Sequence, residues 1–188
     1  MELRPTAVDG CHELRLDRKP DHRGEFLKLF NATTFAELGL PFAVRELFWS
    51  RSHAGVVRGL HFQAPPADVA KVVCCLEGAV LDVVVDLRVG SPTYHEHCAV
   101  TLSADAANAV FVPHGCAHGF LVTEGDALVL YAQSGEWDGE REGGVLWSSV
   151  AAGWPVDAAR AVLSDRDAAF PPLDELVSPF VVGPSEER

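Results

Sequence analysis

The sequence predicts an antiparallel all-β sandwich or barrel. Three observations support this fold class: short runs rich in valine, turn-forming residues between the runs, and few helix signals. From residue 71 onward the runs follow one another closely, and they are KVVCCL, AVLDVVVDLR, HCAVTLS, NAVFVP, HGFLVT and ALVLYAQ. Glycine, proline and acidic residues separate them, so we expect tight turns between neighbouring strands, for example at residues 77–78 and 124–126.

Helical structure is predicted only in short segments. The stretch TTFAELG, near residue 34, has a threonine that can cap a helix and a glycine that can end it. The chain after Pro155 is rich in loop-forming residues, with room for one short helical turn. A length of 188 residues suits one compact domain. We therefore predict a single domain over residues 1–188, with residues 151–188 as a C-terminal covering segment.

The composition excludes several classes of protein. A net charge of −12 argues against non-specific binding to nucleic acid, which needs a basic surface. No apolar run approaches the roughly 20 residues of a membrane span, and the first residues lack the apolar segment of a secretion signal. The five cysteines have no zinc-like spacing, and their odd number is a poor basis for a disulfide framework. We expect a protein of the reducing cytoplasm, without membrane or nucleic-acid partners.

Polar side chains lie within several of the predicted strands. The segment VRGLHFQ carries Arg58 and His61, and burying either group without a partner is costly. The two side chains point to opposite faces of an ideal strand, but a bulge beside Gly59 would turn both toward one cavity. Asp82, inside VLDVVVD, also needs a hydrogen-bond donor. Three further polar residues occupy comparable positions: Lys71, His118 and Tyr131. Each alone is more often structural, but together they would form an acid–base site.

A metal site is the first alternative, because small β-barrels of the cupin type often hold iron, manganese or zinc. Such sites usually contain two histidines separated by one residue, and here the position after that spacing from His61 is Gln63. His95 and His97 have the spacing, but they lie beside a predicted turn with no further ligands nearby. The sequence therefore predicts neither a metal nor another cofactor.

Five segments occur in an order and at spacings that resemble the nucleotide-sugar 3,5-epimerases, whose best-known member acts in rhamnose biosynthesis. The segments are DHRGEF (21–26), VRGLHFQ (57–63), LDVVVDLRVGSPTY (81–94), VPHGCAHGF (112–120) and LSDRDAAFPPL (163–173). The resemblance covers residues 10 to 180, nearly the whole chain. It implies a cupin-type antiparallel jelly roll with a few short helices, a homodimer, and an isomerase that inverts C3 and/or C5 of a nucleoside-diphosphate 4-keto-6-deoxy sugar without a metal.

The resemblance also assigns expected roles by motif position. It makes His61 the general base, Tyr131 the opposing general acid, and Asp167 the partner of the histidine. Its expected substrate-binding residues are Arg23 and Arg58 for the pyrophosphate, Trp137 for the base, and Lys71, His118, Glu142 and Arg166 for other contacts. The chemistry fits these residue types, because a C4 ketone acidifies the C3 and C5 protons and a neutral imidazole can remove one.

Three departures from the family pattern leave the substrate open. A segment that usually has the pattern QxNxS is ELFWS here, beginning at Glu46, and an acidic position is Lys28. Both positions generally approach the nucleoside, so the nucleotide cannot be assigned from the sequence. A usual WND is WSS at residues 147–149. Two other functions stay open: an epimerase acting at C3 or C5 alone, as in antibiotic or capsule sugar pathways, and a sugar-nucleotide-binding cupin without turnover.

Overall fold

Eleven strands and two short helices form the described part of the chain, which in this computed structural model comprises residues 1–40 and 42–182. The strands are β1 Glu2–Pro5, β2 His12–Arg15, β3 Lys19–Asp21, β4 Gly24–Phe26, β5 Glu46–Ser52, β6 Val57–Gln63, β7 Lys71–Asp86, β8 His97–Ser103, β9 Asn108–Val112, β10 Cys116–Gln133 and β11 Glu142–Gly144. The helices are α1 Ala32–Glu37 and α2 Asp165–Ala168. The predicted all-β class is confirmed.

Every pairing between these strands is antiparallel. The larger sheet has the order β1-β2-β9-β7-β10-β6-β11, with β5 added on β10 and β8 added on β7, while β3 and β4 form a separate hairpin. Because the side chains of each strand alternate between faces, one face of β7 and β10 fills an apolar core that includes Val73, Val84, Phe120 and Val129. The alternate face contributes to other apolar clusters.

The two predicted turns at residues 77–78 and 124–126 are not hairpin turns. Strands β7 and β10 continue through them, and their mutual register shifts between Val122 and Val129. These shifts are bulges, which bend a strand without ending it. Gly78 has a φ of +75°, and a side chain there would collide with the carbonyl of Asp126. The turn-forming residues were recognised correctly, but they bend long strands instead of separating short ones.

The short helix predicted near residue 34 is present as α1. Its N-terminal cap is Asn31, whose side-chain oxygen accepts a hydrogen bond from the amide of Thr34 at 3.0 Å, so the predicted threonine cap is wrong. The asparagine begins the helix two residues before the first threonine of that stretch, and Phe35 is buried against the sheet. No helix in the described residues is long and apolar enough to cross a bilayer.

As far as the structure describes it, the chain after β11 adds no strand to the sheet and contacts it through isolated bridges at Val162 and Val181. It contains 3-10 turns at Trp147–Ser149 and Ala158–Arg160, and then α2. Ser164 caps α2 by accepting a hydrogen bond from the amide of Asp167 at 3.1 Å, which fixes where this aspartate lies. The last six residues of the predicted covering segment, 183–188, lie outside the described residues.

Candidate active site

A cavity of about 320 Å³ opens among strands β5, β6, β7 and β10. Side chains from all four strands meet there because β10 pairs with β5, β6 and β7 in turn. Seven of the ten residues predicted for the site line it: Arg58, His61, Lys71, His118, Tyr131, Trp137 and Glu142. Asp167 and Arg166 lie directly behind His61, whereas Arg23 lies elsewhere, on the β3–β4 hairpin.

A bulge in β6 brings Arg58 and His61 to the same cavity. His61 pairs with His118 and Arg58 pairs with Phe120, so β6 contains one residue more than β10 between these two pairs. Gly59 lies at the shift with a φ of +102°, and a Cβ there would approach the carbonyl oxygen of His118 to 2.7 Å. Only glycine fits this close backbone approach. The bulge predicted beside Gly59 is therefore present.

His61 is held by a carboxylate from the far end of the chain. Its Nε2 lies 3.0 Å from Oδ1 of Asp167, and the other carboxylate oxygen accepts the amide hydrogen of Gly59 at 2.9 Å. Burial acts to raise the pKa of Asp167, but the hydrogen bonds from His61 and Gly59 outweigh it and hold that pKa well below its usual range. An ionised Asp167 accepts the Nε2 hydrogen, so the lone pair of the neutral imidazole is on Nδ1.

Arg166 forms the outer edge of this arrangement. Its guanidinium pairs with the carboxylate of Glu142 and also lies 3.4 Å from Oδ1 of Asp167. One of its nitrogens lies 3.2 Å from Nε2 of His61. That nitrogen and the Nε2–H are both donors, so the carboxylate of Asp167 is the partner that decides the tautomer. Glu142, on β11, lines the cavity and balances the charge of Arg166.

Tyr131, on β10, lines the cavity. Burial raises the pKa of its hydroxyl well above the usual value, while Ser50 and the charge of Arg58 act in the opposite direction. The Oγ of Ser50 is buried and has no hydrogen bond of ordinary geometry within the described residues. The ring of Phe48 stacks on that of Tyr131, with 4.7 Å between centroids and 11° between planes. Tyr131 is therefore a protonated phenol with one face covered.

A second buried histidine–aspartate pair lies behind the cavity. Nε2 of His118 lies 2.8 Å from Oδ2 of Asp82, and both side chains are almost fully buried. This pair supplies the partner that Asp82 needs among the valines of β7. The ring of His118 also stands edge-on to that of Tyr131, with 6.1 Å between centroids. The other carboxylate oxygen of Asp82 is buried without a partner in the described part of the chain.

Lys71 brings a buried amine to the cavity at the start of β7. Burial lowers the pKa of Lys71 to about 8, although the charges of Glu142 and Asp82 act to raise it. At neutral pH the side chain is therefore still an ammonium, but a readily deprotonated one. A desolvated cation of this kind is suited to stabilise negative charge that develops beside it.

The two arginines expected at the pyrophosphate differ in position. Arg58 lines the cavity, and its Nε donates to the Ser52 hydroxyl at 2.8 Å, which leaves its terminal nitrogens for other acceptors. Arg23 is exposed and pairs with Asp21 at 2.6 Å, within the β3–β4 hairpin. Within one chain, the structure thus brings only Arg58 to the cavity.

The loop after β10 carries Trp137 to the cavity rim, with its indole largely exposed. Oε2 of Glu46 accepts the amide hydrogen of Trp137 at 2.7 Å and the side-chain amide of Gln133 at 3.1 Å. Gln63 donates to the carbonyl of Glu136 at 3.2 Å. Glu46 and Gln63 therefore hold the tryptophan loop in place. Lys28, the other departure at a nucleoside position, is exposed and does not line the cavity.

Seven residues of the cavity wall were not among the ten predicted site residues: Glu46, Phe48, Ser50, Phe62, Gln63, Gly119 and Gln133. Phe48 and Ser50 belong to the ELFWS segment, where the departure from the family pattern was the only available signal. In the part of the chain that the structure describes, no group of three or more histidine, cysteine, aspartate or glutamate side chains is arranged to hold a metal ion.

Known proteins resemble this chain over almost its full length. A sequence model of the dTDP-4-dehydrorhamnose 3,5-epimerase family matches residues 5–175. A dTDP-4-dehydrorhamnose 3-epimerase of Streptomyces niveus is 40% identical over 89% of this chain and 83% of its own length. A dTDP-4-dehydrorhamnose 3,5-epimerase of Mycobacterium tuberculosis is 39% identical over 94% of this chain and 89% of its own.

A solved structure shows the same fold. The crystal structure of dTDP-6-deoxy-D-glucose-3,5-epimerase from Legionella pneumophila, in complex with dTDP-4-keto-L-rhamnose, superimposes with a TM-score of 0.91. It is 31% identical and covers 98% of this chain and 99% of its own. The predicted cupin-type jelly roll is therefore confirmed, as is the resemblance stated from the motifs.

Proposed function

The chain belongs to the dTDP-4-dehydrorhamnose 3,5-epimerase family and is a nucleotide-sugar epimerase, and we propose that its substrate is a dTDP-linked 4-keto-6-deoxy sugar inverted at C3 and C5. The observation that supports the mechanism is the hydrogen bond between Nε2 of His61 and Oδ1 of Asp167. It leaves Nδ1 of a neutral imidazole as the proton acceptor in a cavity that also contains an ammonium and a protonated phenol.

The first step is removal of a proton from C3 or C5. The bond between carbon and hydrogen breaks, Nδ1 of His61 gains the proton, and the electron pair moves onto the C4 oxygen as an enolate. Positioned proton transfer of this kind contributes about 10²–10⁴-fold to the rate. Asp167 compensates the positive charge that forms on His61, because its carboxylate is already ionised.

Lys71 stabilises the enolate in this scheme. Its ammonium is charged at neutral pH and desolvated within the cavity. A single well-placed donor or cation at a developing oxyanion contributes about 10²–10³-fold. His118, fixed by Asp82, lies close to the same wall and provides a second polar contact for the sugar.

Tyr131 returns a proton from the other face of the sugar. Its O–H bond breaks, a new C–H bond forms at the inverted carbon, and the enolate becomes the ketone again. The resulting phenolate and imidazolium recover their starting protonation states by exchange with solvent. Both C3 and C5 are adjacent to the C4 ketone, so one pair of groups serves both carbons in successive rounds.

The nucleoside diphosphate extends from the sugar toward the rim of the cavity. Arg58 is placed to bind a phosphate oxygen through its guanidinium, and the exposed face of Trp137 is suited to stack on a base. The dTDP nucleotide is taken from the names of the relatives and of the complex with dTDP-4-keto-L-rhamnose. The carboxylate of Glu46 accepts the amide hydrogen of Trp137 and is the departure of this chain at the nucleoside end of the site.

We also propose a homodimer. Among the described residues, strand β5 pairs on one side only, and it exposes Leu47 and Trp49, each 63% accessible. An unpaired apolar edge needs a cover, and pairing with a second copy provides one. A second copy can also bring its β3–β4 hairpin, with Arg23, to a cavity that Arg23 does not reach within its own chain. The expected assembly is a C2 dimer, measured by sedimentation.

The cellular setting and domain boundary follow as further proposals. All five cysteines are free thiols, as expected for the reducing cytoplasm. We propose that residues 1–188 belong to one domain, in which the described part of the segment 151–188 covers the sheet. Within this segment, Phe180 is buried in one of the apolar clusters and α2 supplies Asp167.

An epimerase acting at one carbon is the second candidate, because the relative from Streptomyces niveus is a 3-epimerase. Incubation of the substrate in D₂O, with deuterium located by NMR and mass, separates the two. A double epimerase incorporates deuterium at C3 and C5 and inverts both carbons, whereas a 3-epimerase inverts C3 alone. No incorporation by wild-type protein at either carbon would contradict catalysis and favour a binding protein. The His61→Asn variant should incorporate none.

A further inference from the structure

Phe48 and Tyr131 are directly opposite each other on neighbouring strands. In the β5–β10 ladder, Phe48 pairs with Tyr131, and their rings lie nearly parallel with centroids 4.7 Å apart. Cross-strand aromatic pairs often serve only to stabilise a sheet, by roughly 0.2–1 kcal/mol. Phe48 differs from such a pair in one respect: it lines the cavity and remains partly exposed, while its neighbours Leu47 and Trp49 do not line it.

The position is also a departure of this chain. In the resemblance described above, the pattern QxNxS has asparagine where this chain has Phe48. An asparagine offers hydrogen bonds to a substrate and leaves a tyrosine face open to water. A phenylalanine offers none and excludes water from that face. The exchange therefore changes the surroundings of the proposed acid, not the acid itself.

The orientation of Tyr131 matters because its proton must reach one face of the enolate. A tyrosine ring can turn about its χ angles, and a misplacement of about 1 Å can reduce a positioned reaction step by about 10²-fold. Burial raises the pKa of Tyr131, so an incorrectly aimed hydroxyl has little tendency to release its proton by another route. Ser50, two residues from Phe48 on the same strand face, acts on the hydroxyl of Tyr131, while Phe48 stacks on its ring.

We propose that Phe48 is a positioning residue, which holds the ring of Tyr131 so that its proton is delivered to the carbon that His61 has deprotonated. Phe48 then sets the fraction of deprotonation events that end in inversion, and it does so without contacting the proton itself. This inference rests on the proposed function, since it assigns Phe48 a part in the reprotonation step.

The test compares deuterium exchange with inversion in D₂O, using the dTDP-linked 4-keto-6-deoxyglucose. Phe48→Asn and Phe48→Leu remove the ring, Phe48→Tyr restores it, and Arg51→Ala is the matched control on the other face of the same strand. We expect Phe48→Asn and Phe48→Leu to exchange deuterium at a rate near that of wild type, with inversion reduced roughly 10- to 100-fold. Phe48→Tyr and Arg51→Ala should keep the wild-type ratio of exchange to inversion.

Each other outcome has a definite meaning. A wild-type ratio in both ring-deleted variants, with normal exchange, would overturn the role of Phe48 and leave the proposed function intact. An equal fall in exchange and inversion, with no change in the ratio, would also overturn it, because packing alone then explains the loss. Absence of exchange in wild-type protein would instead contradict the proposed function. Circular dichroism confirms folding, and Phe48→Leu supplies the ratio if Phe48→Asn does not fold.

Discussion

Nε2 of His61 lies 3.0 Å from Oδ1 of Asp167, although the two residues are 106 positions apart in the chain. The two oxygens of Asp167 have different partners, because the second accepts the amide hydrogen of Gly59 at the bulge of β6. One carboxylate therefore fixes both the histidine tautomer and the backbone that carries the histidine. Both partners are donors, so the site requires two acceptors at residue 167.

Replacing Asp167 by asparagine tests this requirement. An asparagine side chain offers one acceptor and one donor group, so it can serve His61 or Gly59 but not both. We expect Asp167→Asn to lower kcat by about 100-fold or more, within the ~10²–10⁴ that a positioned proton transfer provides. Deuterium exchange into substrate should fall in parallel with inversion, since both need the deprotonation step. Asp165→Asn, the same exchange at an exposed position of α2, is the control and should retain most of the activity.

Replacing Tyr131 by phenylalanine should separate deprotonation from inversion. The variant keeps the stacked ring against Phe48 and removes only the hydroxyl. Because His61 and Asp167 are unchanged, the enolate can still form. His61, once its proton has exchanged with D₂O, can then return deuterium to the original face of the carbon. We expect deuterium exchange with retained configuration and inversion reduced by about 10²-fold or more. Near wild-type inversion in Tyr131→Phe would show that another group is the acid.

The kcat of the enzyme should also depend on pH, through the protonation state of Lys71. Burial lowers the pKa of this amine to about 8, so the ammonium is charged below that pH and neutral above it. Stabilisation of the enolate is then present below pH 8 and lost as the pH rises through it. We expect kcat to fall on the alkaline side with a midpoint near pH 8. In Lys71→Arg the guanidinium stays charged, so this alkaline fall should disappear; its persistence would assign the titration to another group.

Motifs were sufficient to predict much of the site. The segment VRGLHFQ indicated that Arg58 and His61 meet at one cavity through a bulge, and the structure contains that bulge at Gly59. Glycine, proline and charged residues on otherwise apolar strands are informative because each has few acceptable surroundings. The position of Asp82 among valines also indicated that it needs a hydrogen-bond donor. Its pairing with His118 became visible only once the register of β7 and β10 was known.

Which residues of β5 line the cavity could not be predicted from the sequence, for a physical reason. Its sequence ELFWSRS has apolar side chains at consecutive positions, so alternation does not reveal which face is inside. A shift of one residue in register would exchange Phe48 for Leu47 or Trp49 in the cavity. The turns at 77–78 and 124–126 were misjudged for a related reason: glycine marks a bend in a strand as readily as a hairpin.

Activity should be independent of added metal. Gln63 occupies the position where a typical cupin site has its second histidine, and its side-chain amide is already used to hold the tryptophan loop. The proposed steps involve only His61, Lys71 and Tyr131. Prolonged dialysis against a chelator, with metal content followed by elemental analysis, should leave kcat and KM unchanged. Loss of activity that one divalent ion restores would contradict this mechanism.

The last prediction concerns Arg58, which is expected to bind the diphosphate and not to take part in proton transfer. Its Nε donates a hydrogen bond to the hydroxyl of Ser52, which leaves the terminal nitrogens to bind other acceptors. A charge-assisted hydrogen bond contributes about 1.5–3 kcal/mol, so Arg58→Ala should raise KM by roughly 10- to 100-fold. The dependence of KM on ionic strength should weaken as well, since one cation of the site is lost. Arg51→Ala is the matched control, because Arg51 lies on β5 and pairs with Glu77 at the surface. If Arg58→Ala instead lowered kcat with an unchanged KM, Arg58 would act on the reacting carbon and its assignment to the diphosphate would be wrong.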